Sequence, residues 1–222
     1  VPSLAAMYQI VNHTSDGLQP PSELGGSNGE LTEGCMRTVI RTLEEKCHMG
    51  RTSHFLDVGS GQGRPALTAA HLVDVQTAIG IEIEQLRHAI AVNAWRALLL
   101  QTSLYNNVIF VEADVASFAN FQPATHVYSF DKVFPPAVLT SVLRVLQASP
   151  SVRYFVSYQP LRTWHERWDG EDHDFPLEEV LVGQLSQLRM QGSQEGHTAY
   201  IYRLTQTAMA VSYTHLTLPT TD

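Results

Sequence analysis

The stretch Asp57-Val-Gly59-Ser-Gly61-Gln-Gly63 combines residue types that can bind a ligand at a strand-to-helix turn. It follows the mostly apolar residues 54–56 and precedes a helical pattern at 65–73. Glycines let the backbone turn sharply and approach a ligand, and the next helix presents unpaired N–H groups to it. The carboxylate of Asp57 attracts a cationic amino group and repels a pyrophosphate. The turn therefore favours a cofactor that carries an amino acid.

The competing interpretation is a dinucleotide fingerprint, G-x-G-x-x-G, in which the third glycine permits close packing of helix on strand. The spacing here is G-x-G-x-G, and Arg64 stands where that third glycine belongs. A side chain of this size does not allow the close helix–strand packing on which the dinucleotide interpretation depends. Two glycines also occur in strand-to-helix turns for structural reasons alone, so residues outside the turn must decide.

Two more acids end apolar stretches that are typical of buried parallel strands. Glu82 follows the first of these and can accept hydrogen bonds from both hydroxyls of a ribose, although an exposed glutamate at a strand end is the simpler alternative. Asp114 follows the second and can accept from an adenine amino group, with Val115 contacting the ring. The three acids predict S-adenosyl-L-methionine as cofactor, and hence a methyltransferase. The expected cofactor-binding residues are Asp57, Gly59, Ser60, Gly61, Gly63, Glu82, Asp114 and Val115.

Strand and helix patterns alternate along the chain and must position these acids. The patterns predict strands at 54–58, 77–83, 108–114, 126–131 and 152–158, with helices at 65–74, 85–102 and 136–148. Residues 180–190 and 197–204 alternate around a glycine-containing turn, which indicates a terminal hairpin. We expect an α/β fold: a Rossmann-like, seven-stranded methyltransferase sheet, parallel with a terminal antiparallel hairpin, and helices on both faces.

The chain divides into three regions by composition. Residues 1–25 are expected to be an N-terminal lead and linker, with a helix at 4–11 followed by a segment dense in Pro, Ser and Gly. Residues 26–208 are expected to be the methyltransferase domain, in which Thr32 caps a helix with Met36, Val39, Ile40, Leu43 and Cys47 on one face. Residues 209–222 are threonine-rich, lack periodicity, and are expected to be a non-native or disordered tail.

The amino-acid composition limits the kinds of partner that we expect this protein to bind. The 222 residues are 44% hydrophobic, enough for one sizeable core, and contain no apolar run of membrane-spanning length, so we expect a soluble, intracellular protein with no membrane contact. The net charge is −8 with two lysines, which disfavours strong direct binding to nucleic acid and could attract a basic protein. The two cysteines and ten histidines show no ligand spacing, so no metal is expected.

With these residues in view, the chain resembles the non-SET histone-lysine methyltransferases of the Dot (disruptor of telomeric silencing) type, from about Gly26 to Leu204. Residues 55–63 are similar to the family's Phe-Val-Asp-Leu-Gly-Ser-Gly-Val-Gly motif, and Glu82 and Asp114 match its ribose and adenine positions. The more family-specific part is Asn28-Gly-Glu-Leu-Thr32, which looks like the family's Tyr-Gly-Glu-(Leu/Thr) cofactor loop. A plain loop before a helix cap is the alternative.

The resemblance implies that Gly29, Glu30, Leu31 and Thr32 contact the cofactor. It also implies a protein substrate, a histone or a nucleosome, and a nuclear location; with another acceptor we expect a cytoplasmic one. The chain lacks the basic segments that the family uses on nucleosomes. The other hypotheses are a methyltransferase for a small molecule or a different protein side chain, and a catalytically weak scaffold that binds the cofactor.

The chain departs from the family after its fourth predicted strand. Where the family has Asn-Asn-Phe-Ala-Phe, this chain has Phe130-Asp-Lys-Val-Phe134. Asp131 could act as a general base, hold a lysine protonated, orient another acceptor, or pair with Lys132 or an arginine. Phe134, together with Phe130, is a candidate channel wall or a core residue. Asp131, Phe134 and Tyr158, which ends the fifth predicted strand, are the candidate catalytic residues; Tyr158, Trp164 and Trp168 are lid candidates.

Overall fold

The computed structural model describes residues 2–15, 30–171, 174–192 and 195–205. Its centre is a seven-stranded sheet in the order β3-β2-β1-β4-β5-β7-β6. Strands β1 to β5 are parallel, whereas β7 is antiparallel to both β5 and β6. The strands are β1 (His54–Val58), β2 (Thr77–Glu82), β3 (Val108–Glu112), β4 (His126–Tyr128), β5 (Tyr154–Ser157), β6 (Leu177–Arg189) and β7 (Gly196–Leu204).

Helices cover both faces of this sheet, which confirms the predicted fold class. They are α1 (Leu4–Ser15), α2 (Glu33–Lys46), α3 (Arg64–Val73), α4 (Gln85–Leu99), α5 (Pro136–Gln147) and α6 (Leu161–His165). One apolar cluster joins α1 to α4 with one face of the sheet, and a second joins α5 and α6 with the other. Burial of each large aliphatic side chain in these clusters contributes about 1.5–3 kcal/mol.

The predicted cap of the second helix is confirmed. The Thr32 hydroxyl accepts a hydrogen bond from the Cys35 N–H at 3.3 Å, and α2 begins at the next residue. Its predicted apolar face, Met36, Val39, Ile40, Leu43 and Cys47, is buried. The helix therefore forms because a capped start and a 3.6-residue apolar period agree, and it fixes the chain that enters the site from residue 30.

The sheet brings the predicted acids to one edge. Asp57 pairs in register with Gly80 of β2 on one side and Tyr128 of β4 on the other. The chain order runs from β1 outward through β2 to β3, and then returns to β4 beside β1. Ligands of open α/β sheets bind at the carboxyl ends of the strands where the order reverses. The expected binding crevice therefore lies beside the end of β1.

Several predicted boundaries are wrong. Strand β4 ends at Tyr128, and Asp131–Val133 forms a 3₁₀ turn because the Asp131 carboxylate is bonded to the end of β5. Helix α4 ends at Leu99, since Thr102 caps a separate 3₁₀ turn at Ser103–Tyr105. Strand β5 ends one residue before Tyr158, and α1 continues to Ser15.

One of the lid candidates, Trp164, lies in the core. It belongs to α6, is fully buried, and packs edge-on against the Phe155 ring at 5.5 Å between centroids. A lid residue must reach solvent, so Trp164 does not fit that role. Residues 16–29, which include the predicted linker up to residue 25, and the predicted tail at 209–222 lie outside the described residues. Across the described ranges, no helix has the length and apolar character that a membrane span requires.

Candidate active site

The glycine turn at the end of β1 has the conformation that its sequence predicts. Gly59, Gly61 and Gly63 all have positive φ angles, of 76°, 53° and 85°, in the left-handed region that other residues adopt only at a cost. A Cβ on Gly63 would lie 2.4 Å from the Phe110 ring. Gly63 thus supplies the close helix–strand packing that the dinucleotide fingerprint assigns to the next position, which Arg64 occupies.

Asp57 is the strongest sign of a ligand at this turn. Its carboxylate is buried, and neither oxygen has a hydrogen-bond partner among the described residues. Burial, with a smaller contribution from Glu82, raises the pKa of Asp57 well above its usual value. An unpartnered buried carboxylate is costly unless a donor or cation meets it. The amino group of an amino-acid cofactor would supply both, so the residues present fit S-adenosylmethionine.

Glu82 is tied to the same turn. Its two carboxylate oxygens accept from the N–H groups of Gly61 and Glu84, both at 2.8 Å. Each carboxylate oxygen can accept more than one hydrogen bond, so lone pairs remain for the two hydroxyls of a ribose. The next residue, Ile83, has 65% of its surface exposed, which makes it an apolar side chain at the edge where an adenine would lie.

The third strand-end acid is placed differently from the first two. Asp114 is exposed, and one of its oxygens accepts from the Ala116 N–H at 2.9 Å, which caps a short 3₁₀ turn. Its other oxygen can accept from an adenine amino group. Val115 beside it is buried. A polar group and an apolar side chain, the two features that an adenine site needs, are therefore adjacent at the end of β3.

The loop before α2 reaches across to the glycine turn. Glu30 Oε1 accepts from the Gln62 N–H at 3.1 Å, and Oε2 forms an ion pair with Arg64. Leu31 is buried and bridges to Met190, whereas the Thr32 hydroxyl is engaged in capping α2. Gly29 lies outside the described residues. Of the predicted loop residues, Glu30 alone has its side chain against the turn in the part of the chain that is described.

Beyond the end of β4, Asp131 is held by hydrogen bonds from the end of β5. Its carboxylate is fully buried and accepts from the Ser157 hydroxyl at 2.5 Å and from the Tyr158 N–H at 2.7 Å. Burial raises the pKa of Asp131 to about 7, although both hydrogen bonds oppose the rise. These contacts fix the turn at 131–133 to the end of β5.

Aromatic side chains surround this turn. A Cβ on Gly59 would lie 2.7 Å from the Phe134 ring, so Phe134 sits directly against the glycine turn. The Phe130 ring lies 4.4 Å from that of Tyr158 and 5.7 Å from that of His197, between centroids. Tyr158 itself is buried, and its hydroxyl shares a hydrogen bond of 3.2 Å with the Tyr128 hydroxyl.

The family model described as "Histone methylation protein DOT1" matches residues 26–122. The match contains the Glu30 loop, the glycine turn and the acids at the ends of β2 and β3, which the structure gathers at one edge. The chain is a class I methyltransferase that uses S-adenosylmethionine. Comparison with curated proteins finds no match.

Solved structures show that this methyltransferase has the fold of its class. The proposed RNA methyltransferase PH1948 from Pyrococcus horikoshii is 14% identical with a TM-score of 0.61, over 92% of this chain and 98% of that one. The magnesium protoporphyrin IX methyltransferase of Synechocystis, with bound SAH, is 10% identical with a TM-score of 0.56, over 90% and 94%. An MtNAS variant in complex with S-adenosylmethionine is 10% identical with a TM-score of 0.55, over 91% and 73%.

Three residues beside the candidate site were not predicted from the sequence. Ile83 had a signal, because an apolar residue directly after a strand-end acid is exposed once the strand ends. Arg64 was considered only as an obstacle to a dinucleotide, yet its side chain is buried beside Glu30. His197 had no local signal, since its contact with Phe130 depends on the pairing of β7 with β5. Within the described ranges, no group of three or more His, Cys, Asp or Glu is arranged to hold a metal.

The contact between Phe134 and the glycine turn can be tested by Gly59→Ala. We expect a loss of about 2–4 kcal/mol in the free energy of unfolding, because a left-handed alanine and a crowded ring both destabilise the fold. The matched control is Gly192→Ala: its φ is 73°, but a Cβ there meets nothing within 4 Å. Urea denaturation of both variants separates the cost of the left-handed backbone from the cost of crowding the Phe134 ring. Equal losses would mean that Phe134 does not lie against Gly59.

Proposed function

We propose that this methyltransferase transfers a methyl group to the side-chain amine of a protein lysine, with histones as the substrate class. This proposal rests mainly on the Glu30 loop, which lies within the matched region and is the most family-specific motif of the chain. In the structure its carboxylate lies against the glycine turn. With a histone substrate, the protein acts in the nucleus.

The chemistry requires a neutral amine in line with the methyl group. S-adenosylmethionine supplies that methyl group on a sulfonium, and the protein must position and desolvate the acceptor. A lysine with a pKa of about 10.4 needs roughly 4.6 kcal/mol to lose its proton at pH 7. Apolar surroundings reduce this cost because they disfavour the ammonium. Phe134 against Gly59, and Phe130 beyond it, are suited to form such surroundings.

We assign Asp131 and Tyr158 to positioning. A general base must be within hydrogen-bond reach of the proton that it removes, whereas both oxygens of Asp131 are turned into the protein towards Ser157 and Tyr158. Holding the turn at 131–133 places Phe134, and the Tyr158 ring supports Phe130. Phe134 then borders the acceptor, and the substrate amine releases its proton to solvent.

A different acceptor is the second candidate, and the residues at 130–134 favour it. They depart from the family pattern where the acceptor would enter. Structural relatives are named for RNA and for magnesium protoporphyrin IX. The net charge of −8 opposes strong binding to RNA, which leaves small molecules and other protein side chains as the main competitors.

Tritium transfer from methyl-labelled cofactor would distinguish these acceptors. We expect label in recombinant core histones or nucleosomes, and we expect it to disappear when the lysines are first propionylated, because acylation removes the amine lone pair. Total RNA and a small-molecule extract serve as competing acceptors, and Asp57→Asn serves as the enzyme control. Labelled RNA, labelled small molecules, or unchanged labelling of blocked histones would contradict the proposal.

A further inference from the structure

Arg64 is a buried cation at the start of α3, where it connects three separate parts of the chain. Its side chain is 5% exposed. One terminal nitrogen donates to the Asn12 side-chain oxygen at 2.7 Å, and the guanidinium carbon lies 5.8 Å from the centre of the Tyr8 ring. The other terminal nitrogen pairs with Glu30. Arg64 therefore links α1, the Glu30 loop and the helix that follows the glycine turn.

This ion pair determines where the Glu30 carboxylate lies. The second oxygen of Glu30 accepts from the Gln62 N–H and lies 3.2 Å from the position that a Cβ on Gly61 would occupy. The Glu30 backbone is held independently, because Gln191 N donates to Glu30 O at 2.8 Å and Thr32 N donates to Arg189 O at 2.9 Å. These backbone bonds leave the side chain free to rotate, so the side-chain position depends on Arg64 and the Gln62 N–H.

Arg64 also balances negative charge at the glycine turn. Asp57 and Glu82 already place two carboxylates at the turn, and burial raises the pKa of Asp57. A third carboxylate at Glu30 would add repulsion unless a cation balanced it. Burial lowers the pKa of Arg64 to about 10, which still leaves it charged at neutral pH. Arg64 balances Glu30 and leaves Asp57 unpaired for the cofactor's ammonium.

We propose that Arg64 is a positioning residue for the amino-acid end of the cofactor: it holds Glu30 against the glycine turn and anchors α1 to the site through Asn12. The amino-acid end is implicated because Asp57, the unpartnered carboxylate that suits an ammonium, immediately precedes the glycine turn against which Glu30 lies. The inference rests on the cofactor and not on the proposed acceptor, so it is tested by binding alone.

The test compares two ligands that differ at that end and in the charge of the sulfur atom. S-adenosylmethionine carries the amino acid, whereas 5′-methylthioadenosine lacks it. In calorimetric titrations of the purified chain, we expect Arg64→Gln to weaken S-adenosylmethionine binding by about 10-fold to 100-fold and 5′-methylthioadenosine binding by less than about 3-fold. The control Arg37→Gln removes an exposed arginine that pairs with Glu33, and we expect it to change neither affinity.

A double-variant cycle completes the test. If Arg64 acts through Glu30, Glu30→Gln and Arg64→Gln should not add, and the double variant should bind about as well as the weaker single variant. Arg64→Lys retains the positive charge and serves as a second variant in case Arg64→Gln does not fold. We expect the same selective loss of S-adenosylmethionine binding, because one ammonium cannot hold Asn12 and Glu30 together. Equal weakening of both ligands, or additive single losses, would overturn the proposal.

Discussion

Asp57→Asn, which replaces a carboxylate with a neutral amide, is expected to weaken the binding of S-adenosylmethionine by about 100-fold. The carboxylate is buried at the end of β1 and has no partner among the described residues, so its charge is available to the cofactor's ammonium. Removing one partner of a desolvated charge pair typically costs 2–5 kcal/mol, and a 100-fold loss corresponds to about 2.7 kcal/mol. Equilibrium dialysis with labelled cofactor measures it.

Asp114→Asn is the matched control for this variant. The same chemical change is made at an acid on the same edge, but Asp114 is exposed and already bonded to Ala116 N. An exposed hydrogen bond contributes little in water, so we expect a loss below about 10-fold. If both variants lost the same affinity, or if Asp57→Asn bound normally, the ammonium would not lie at Asp57.

The second large effect concerns the pH dependence of stability at Asp131. Because burial raises the pKa of Asp131 to about 7, its protonated form stabilises the fold. That contribution is fully present below about pH 4, the ordinary value for aspartate, and is lost as the pH rises through 7. Asp131→Asn is neutral throughout, so we expect urea denaturation to show a weaker pH dependence between pH 4 and 7 than in the unmodified protein.

We also expect Asp131→Asn to cost about 1–3 kcal/mol at pH 5. The Ser157 hydroxyl already accepts from Trp164 Nε1 and Gln159 N, and the other neighbour of the carboxylate is the Tyr158 N–H. In either orientation the new amide N–H₂ meets a donor. Combination with Ser157→Ala should reduce the cost, since one of these conflicts is then removed.

The same variant separates a positioning role from general-base catalysis. If Asp131 positions the turn that carries Phe134, the pH profile of kcat should keep its shape in Asp131→Asn while its height falls, because the proton leaves from the substrate amine. A general base with a pKa of about 7 would produce an acidic limb that disappears in the variant. Loss of that limb, with stability unchanged, would contradict the positioning role.

The geometry of the glycine turn and of the strand-end acids was largely predictable from sequence because the signals are local. The carboxyl ends of parallel strands meet at one edge of a sheet. A glycine turn and acids that follow apolar stretches can therefore be placed at that edge from the sequence alone. The cap at Thr32 and the terminal hairpin were predictable for the same reason: each depends on residues a few positions apart.

The acceptor half was less predictable because its contacts join distant segments. Asp131 looked accessible at a strand end, yet its carboxylate turns inward to Ser157 and Tyr158, 26 and 27 residues away. Arg64 had no local signal for a role in the site: its side chain is bonded to Asn12 of α1, which precedes it by 52 residues. Side-chain direction at such positions depends on tertiary packing, which no local pattern contains.

The most direct test of the central claim, that Asp57 receives the ammonium of S-adenosylmethionine, is calorimetric titration at pH 7 in two buffers of different ionisation enthalpy. Burial raises the pKa of Asp57 above its usual value and a bound cation lowers it, so binding releases any proton that the carboxylate carries. We predict binding at one site with release of up to about one proton, and no such release in Asp57→Asn. Absence of binding, or an identical proton balance in both proteins, would contradict the account.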